Sequence, residues 1–297
     1  MTTGVEIGAI RVDLVPEVRY RLMPREFLFP DLTHEDAARN ADWLPPRHLH
    51  PDTLAVGMAF QAYLIRARGQ NILVDTCNGN HKPRPHAPWQ HDMRSHAFLT
   101  SLADLGLRPE DIHIVLCTHL HTDHVGWNTR LVNGQWVPTF PNARYVMNEA
   151  EFRFFEGLIG TEGTRYAHIE DSVLPVVEAG RAEFVSDSAQ ILTEIGEEVF
   201  LSPSPGHSPG HVCIHARARG AEAVVSGDAI HHAVQFDMPD LVMRADWDAA
   251  MAAASRRRVM EHCAGTGALL CAGHIPDWSI GRVSEGGRAF RLSPVEG

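Results

Sequence analysis

The chain has 297 residues, 44% of them hydrophobic, enough to bury one large core. Lys and Arg number 26 against 37 Asp and Glu, for a formal charge of −11, and Arg256-Arg257-Arg258 is the one basic run, so neither a nucleic acid nor an anionic membrane is the expected partner. Five cysteines (Cys77, Cys117, Cys213, Cys263, Cys271), odd in number and widely spaced in mostly apolar runs, exclude a disulfide framework.

The opening MTTGVEIGAIRVDLVPEV carries no basic segment leading into a long apolar one. Nowhere do about 18 apolar residues run uninterrupted, so a soluble, cytoplasmic protein is expected. Residues 1–50 begin strand-like and then turn irregular, rich in proline and aromatics. This arm is expected to pack on the body or on a second copy in a homodimer, or to wall a substrate pocket. Next, AFQAYLIRA and NILVDT, separated by RGQ, read as a hairpin, and a helix is expected over about 92–105, ending at Gly106. IHIVLCT is a β-branched run suited to a buried strand. Later strands are expected at ARYVMN, RAEFV, VFLSP, HVCIHA, AVVSGD and ALLCAG, with an Ala-rich helix near 245–262 before the last. Many strands with a few helices imply a mixed α/β domain of layered sheets. No repeat or low-complexity linker divides the chain, so one domain over 1–297 is expected.

Four of these strands stop at a metal-ligand side chain: IVLCT at His119, FLSPSPG at His207, AVVSG at Asp228 and LLCAG at His274. Sites are commonly assembled at one rim of a sheet. THLHTDHVG, residues 118–126, adds His121, Asp123 and His124. A strand would send His124 to the opposite side; a loop entering a helix, with Gly126 supplying local freedom, brings all four together. Imidazole and carboxylate donors suit zinc and also accept iron, manganese or cobalt. Burying such a set without a cation would leave several polar groups unpaired. Gly206-His207-Ser208-Pro209-Gly210 also matches GxSxG, but the residue after that serine should donate a backbone N–H to the oxyanion, and Pro209 has none.

With HxHxDH, ILVDT, SPGHSPGH, SGDAI and CAGHIP in this order over about residues 55–280, the chain resembles the metallo-β-lactamase fold superfamily. The resemblance implies a four-layer αββα sandwich with a dimetal site along one edge of the paired sheets. It puts His119, His121 and His207 on one ion, Asp123, His124 and His274 on a second, and Asp228 between them. Asp75 would orient a ligand histidine from behind, and His211 would be structural. Two divalent ions are implied, zinc by expectation, with Mn2+, Co2+ or Fe2+ as alternatives. A metal-bridging hydroxide would be the nucleophile, and Asp123 or Asp228 the catalytic carboxylate that handles the proton.

Within that superfamily, length and motif order resemble the lactonase and methyl-parathion-hydrolase-like branch. Well-known lactonases carry a tyrosine shortly after the bridging aspartate; here GDAIHHAVQF offers His231 and His232. The expected function is therefore hydrolysis of a carboxylic ester or lactone. An organophosphate triester is the alternative substrate, and an iron-containing redox protein of the same fold the alternative class. His231, Phe236 and Trp127 are the candidate substrate contacts, with Trp43 a further aromatic in the arm.

Overall fold

Apolar and polar residues alternate along IRVDLVPEVRYRLM, and in the computed structural model, which describes residues 4–185, 199–286 and 288–295, this segment is one long strand. The first sheet takes Gly4–Ile7 (β1), Ile10–Met23 (β2), Val56–Ala67 (β3), Gln70–Val74 (β4) and Ile114–Leu116 (β5). Thr129–Val132 (β6) and Gln135–Pro138 (β7) form a separate hairpin, and Arg144–Asn148 (β8) and Ala182–Val185 (β9) complete that sheet in the order β1-β2-β3-β4-β5-β8-β9. The second sheet runs in chain order: Val199–Pro203 (β10), Val212–Ala218 (β11), Ala221–Val225 (β12), Leu269–Cys271 (β13), Ile280–Gly286 (β14) and Ala289–Pro294 (β15).

The two sheets face each other. Val12, Ile65, Val74, Ile114, Leu116 and Val146 of the first pack against Leu201, Ile214, Ala216, Val225, Leu269 and Cys271 of the second. The helices Ala97–Asp104 and Glu149–Glu156 bring Phe98, Leu102, Phe152 and Phe155 to the outer face of the first sheet. Val259, Met260 and Cys263 of the helix Ala249–Thr266 cover the second, together with Phe29, Leu44 and Leu49 of the arm. This is the αββα order. Strands β4, β5, β8 and β9 run parallel, as do β12 and β13, so the ends of β5, β12 and β13 open onto one edge.

The arm is more regular than its composition suggests. β2 pairs with β3 along most of its length, with register shifts between Pro16 and Val18 and between Val18 and Arg21. Pro16 cannot donate to the ladder, and such a bulge is how a strand accommodates it. Beyond β2 the arm folds into the short helices Arg25–Leu28 and His34–Ala41, the second capped by Thr33, whose side chain accepts from Asp36 N. The long helix starts at Ala249 because Asp248 caps it there, accepting from Met251 N. The residues just before it form a loop that reaches the site.

Candidate metal centre

Beyond β5 the chain bends at Thr118, is extended again at His121, then enters the one-turn helix Thr122–Val125, which carries Asp123 and His124. That turn returns His124 to the side of His119. Gly126 serves close approach and not conformational freedom: its backbone is helical, and a Cβ there would collide with the backbone of Asn78. His207 lies in the loop after β10, Asp228 in the turn Gly227–Ala229 after β12, and His274 just after β13.

Seven side chains meet at this edge in two groups, His119, His121, His207 with Asp228, and Asp123, His124 with His274. In the first, His121 Nδ1 lies 3.1 Å from His119 Nε2 and 2.8 Å from His207 Nε2. In the second, the Nε2 atoms of His124 and His274 are 3.3 Å apart, with Asp123 Oδ2 3.7 Å from His274 Nε2. Asp228 stands between the groups. Its Oδ2 is 3.2 Å from His207 Nε2, while its Oδ1 is 3.1 Å from His124 Nε2 and 3.0 Å from His274 Nε2.

The far nitrogens of these rings are held from behind. His124 Nδ1 is 2.8 Å from Asp75 Oδ2, and Asp75 also accepts from Thr118 N and Oγ1. His274 Nδ1 is 2.8 Å from the Ala59 carbonyl. His207 Nδ1 is 2.9 Å from Asp246 Oδ1. His211 is not a ligand: its Nε2 accepts from the Asp228 backbone N–H at 2.9 Å and its Nδ1 meets Ser204 Oγ, so it fixes the turn that presents Asp228. Burial and the neighbouring His207 lower its pKa to about 3, which keeps that acceptor unprotonated.

These contacts test whether the residues fit a cation. With Nδ1 protons directed to Asp75, Asp246 and the Ala59 carbonyl, the neutral rings aim their Nε2 lone pairs at one another and at Asp228, whose buried Oδ1 receives no hydrogen bond. Lone pairs converging on a buried carboxylate demand positive charge among them. The proton affinities carry the same demand. Burial alone would lower His124 and His207, but Asp228 and the other carboxylates outweigh it, raising His124 well above the usual imidazole range and His207 to about 9. Burial and neighbouring rings hold His119 and His121 well below that range, in the neutral form a metal takes. The donor set fits divalent ions of the zinc type.

The cluster forms the floor of a cavity of about 490 Å³. Asp123, His231 and Ser208 reach it, Met23, Phe27 and Leu28 of the arm wall it, and Trp89, Phe154 and Trp247 add aromatic surface. The arm therefore both packs on the body and shapes the pocket. Two candidate substrate contacts lie elsewhere. Trp127 is buried against Phe98 and donates Nε1–H to Glu17 at 2.7 Å, pointing away from the metal loop that precedes it. Phe236 is fully buried in the core between the second sheet and the arm, as is the inner face of Trp43. His231 does line the cavity, with its Nε2 3.1 Å from Asp228 Oδ2. Asp246 escaped the sequence reading because it belongs to no motif and lies 39 residues from His207.

A protein-family model described as the metallo-beta-lactamase superfamily matches residues 61–262. The chain is 29% identical over 224 residues to a probable metallo-hydrolase of Mycobacterium tuberculosis, covering 67% of each. It is 27% identical over 165 residues to an N-acyl homoserine lactonase of Bacillus cereus, covering 55% of this chain and 56% of that one. Among solved structures, the hydrolase AbOPH superposes with a TM-score of 0.79 at 21% identity, over 99% of this chain and 97% of its own. The dizinc quorum-quenching lactonase AidC superposes at 0.75 and 20%, with the same coverage. At these identities the structural likeness speaks for the fold.

Proposed function

The chain belongs to the metallo-beta-lactamase superfamily, and on that premise we propose that it is a metal-dependent hydrolase of a carboxylic ester or lactone, working with two divalent ions, zinc by expectation. The observation that carries this reading is Asp228, one carboxylate whose two oxygens face two separate histidine sets. The kinship with a lactonase and a probable metallo-hydrolase supports it.

In this reading His119, His121 and His207 hold one ion, Asp123, His124 and His274 the other, and Asp228 both. Ions bound there supply Lewis acidity and a water of lowered proton affinity. The chain's own residues orient and exclude. Asp75, Asp246 and the Ala59 carbonyl fix the ligand rings. The arm and the aromatic wall keep bulk water from the reacting carbonyl. Both Asp228 and Asp123 line the cavity, but Asp228 is enclosed by imidazoles while the Asp123 side chain is 17% exposed; Asp123 is the carboxylate suited to take a proton, on its oxygen turned away from the histidines, and return it to the leaving oxygen. His231 lines the cavity beside Asp228, its Nε2 3.1 Å from Asp228 Oδ2, and is the ring placed to meet a substrate oxygen.

A phosphotriester is the second reading. The aromatic lining of Phe27, Trp89, Phe154, Tyr166 and Trp247 suits an aryl leaving group as well as it suits an acyl chain.

Initial rates on one panel separate the two: short and long lactones, aryl esters, phosphotriesters, a β-lactam and an acyl-glutathione, with zinc-, manganese- and cobalt-loaded protein. Lactones or esters are expected to lead by at least about a hundredfold, roughly 2.7 kcal/mol of transition-state preference. Leading phosphotriesters would install the second reading. A His121→Ala protein as active as the wild type on every substrate would remove the metal-hydrolase reading altogether.

A further inference from the structure

Two of the three histidines in the first group come from separate loops, His121 from the segment after β5 and His207 from the segment after β10. A backbone hydrogen bond from Val212 N to Thr118 O at 2.9 Å ties the bases of those loops, and a third element spans them closer to the histidines. Glu151, in the first turn of the helix Glu149–Glu156, is fully buried and spans them: Oε1 accepts from Leu120 N at 3.1 Å, and Oε2 accepts from Gly210 N at 2.8 Å. Leu120 lies between His119 and His121, and Gly210 is three residues past His207. The loop approaches so closely that a Cβ on Gly210 would stand 2.7 Å from both Glu151 Cβ and Glu151 N. The carboxylate touches no member of the second group.

We propose that Glu151 is a positioning residue for the first metal group alone, a clamp that sets the separation of His119 and His121 from His207. The proposal rests on the reading that the two groups hold metal. A carboxylate is the side chain that can do this: both oxygens accept, and each meets one backbone donor. Glutamine has one accepting oxygen, so in Glu151→Gln an amide N–H faces a backbone N–H whichever way it turns, and one loop is released. Gly210→Ala is an independent lesion that leaves the carboxylate in place and forces the same loop outward.

The test measures metal binding, not turnover. Purified wild-type protein and variants are equilibrated with zinc against graded chelator, metal per chain is measured, and cobalt-loaded samples are read by their visible d–d absorption. The wild type is expected to hold two ions. Glu151→Gln and Gly210→Ala are each expected to weaken one ion by at least tenfold and leave the other unchanged, with the absorption of the weakened site altered. Combined with His274→Ala, Glu151→Gln should leave a chain that holds little metal; combined with His121→Ala it should cost nothing further. Glu149→Gln, on the exposed side of the same turn, serves as the control and should match the wild type. Two ions held by Glu151→Gln at wild-type affinity would overturn the clamp, and so would equal weakening of both ions, which is the signature of general loosening. A wild type that binds no metal would instead defeat the reading on which the clamp rests.

Discussion

At His207 a single hydrogen bond decides which ring nitrogen faces the site. Asp246 Oδ1 takes the Nδ1 side, and Oδ2 accepts from Met243 N at 3.0 Å while Arg256 Nη2 lies 3.5 Å away. Every one of these neighbours of the carboxylate is a donor, so Asp246→Asn leaves one accepting oxygen among three N–H groups. Metal affinity is expected to fall about 10- to 100-fold, the usual cost of losing such an orienting partner, as measured by chelator competition. An unchanged affinity would show that His207 is aimed by packing alone. At this scale the sequence spoke clearly wherever residues cluster: HxHxDH and the four strand ends hold the seven side chains that the structure brings together, and ILVDT holds Asp75, which meets His124. It was silent on Asp246 and Glu151, which reach the site from other elements. It misdirected on Trp127 and Phe236, because adjacency along the chain says nothing of the direction in which a side chain leaves it.

Among the elements, the arm is where local reading lost most. The strand-like opening runs further than its prolines and aromatics suggested, to a strand of fourteen residues ending at Met23, whose partner β3 begins 33 residues after it ends. Past that strand the arm is fastened by two histidines. His48 Nε2 meets the Pro276 carbonyl at 2.8 Å, and His232 Nε2 meets the His48 carbonyl at 3.0 Å. Burial lowers His48 to about 4 and, with His48 beside it, His232 to about 3. Both titrate near 6.5 when unfolded, so below that pH the unfolded chain binds more protons than the folded one. The stability they lend is complete above pH 6.5 and is lost as pH falls toward 4. Urea midpoints measured from pH 7.5 to 4.5 are expected to decline, and His232→Gln, whose amide can keep both polar contacts, should remove about 1.4 kcal/mol per pH unit from the slope. A slope unaffected by that substitution would place the acid sensitivity elsewhere. The hairpin of β3 and β4 and the buried run of β5 were legible, since they carry their period openly, whereas the β6–β7 hairpin, the helix Glu149–Glu156 and the pair β14–β15 were not among the expected elements. Boundaries shifted where a cap decided them, as Asp248 does for the long helix.

Taken whole, the molecule is two sheets whose mutual packing is apolar and whose shared edge is polar. The ligand set straddles the divide, with His119, His121, Asp123 and His124 following β5 of one sheet and His207, Asp228 and His274 following strands of the other. Ions bound there would tie one sheet to the other, so chelation is expected to lower thermal stability as well as activity. With free metal a thousandfold above Kd, binding to the folded state is worth about 4 kcal/mol, several degrees of Tm that return when zinc is restored. A Tm indifferent to chelator would mean that the edge is rigid without ions. The layered architecture was readable from strand count and motif order together, whereas the order of strands within each sheet depends on pairings between distant segments that no window of sequence contains. The cavity wall has a separate origin from its floor. Phe27, Trp89, Phe154 and Tyr166 stand on the arm and on excursions between strands, and none of them orients a ligand. A substitution in the wall can therefore reshape the cavity without moving the side chains of its floor.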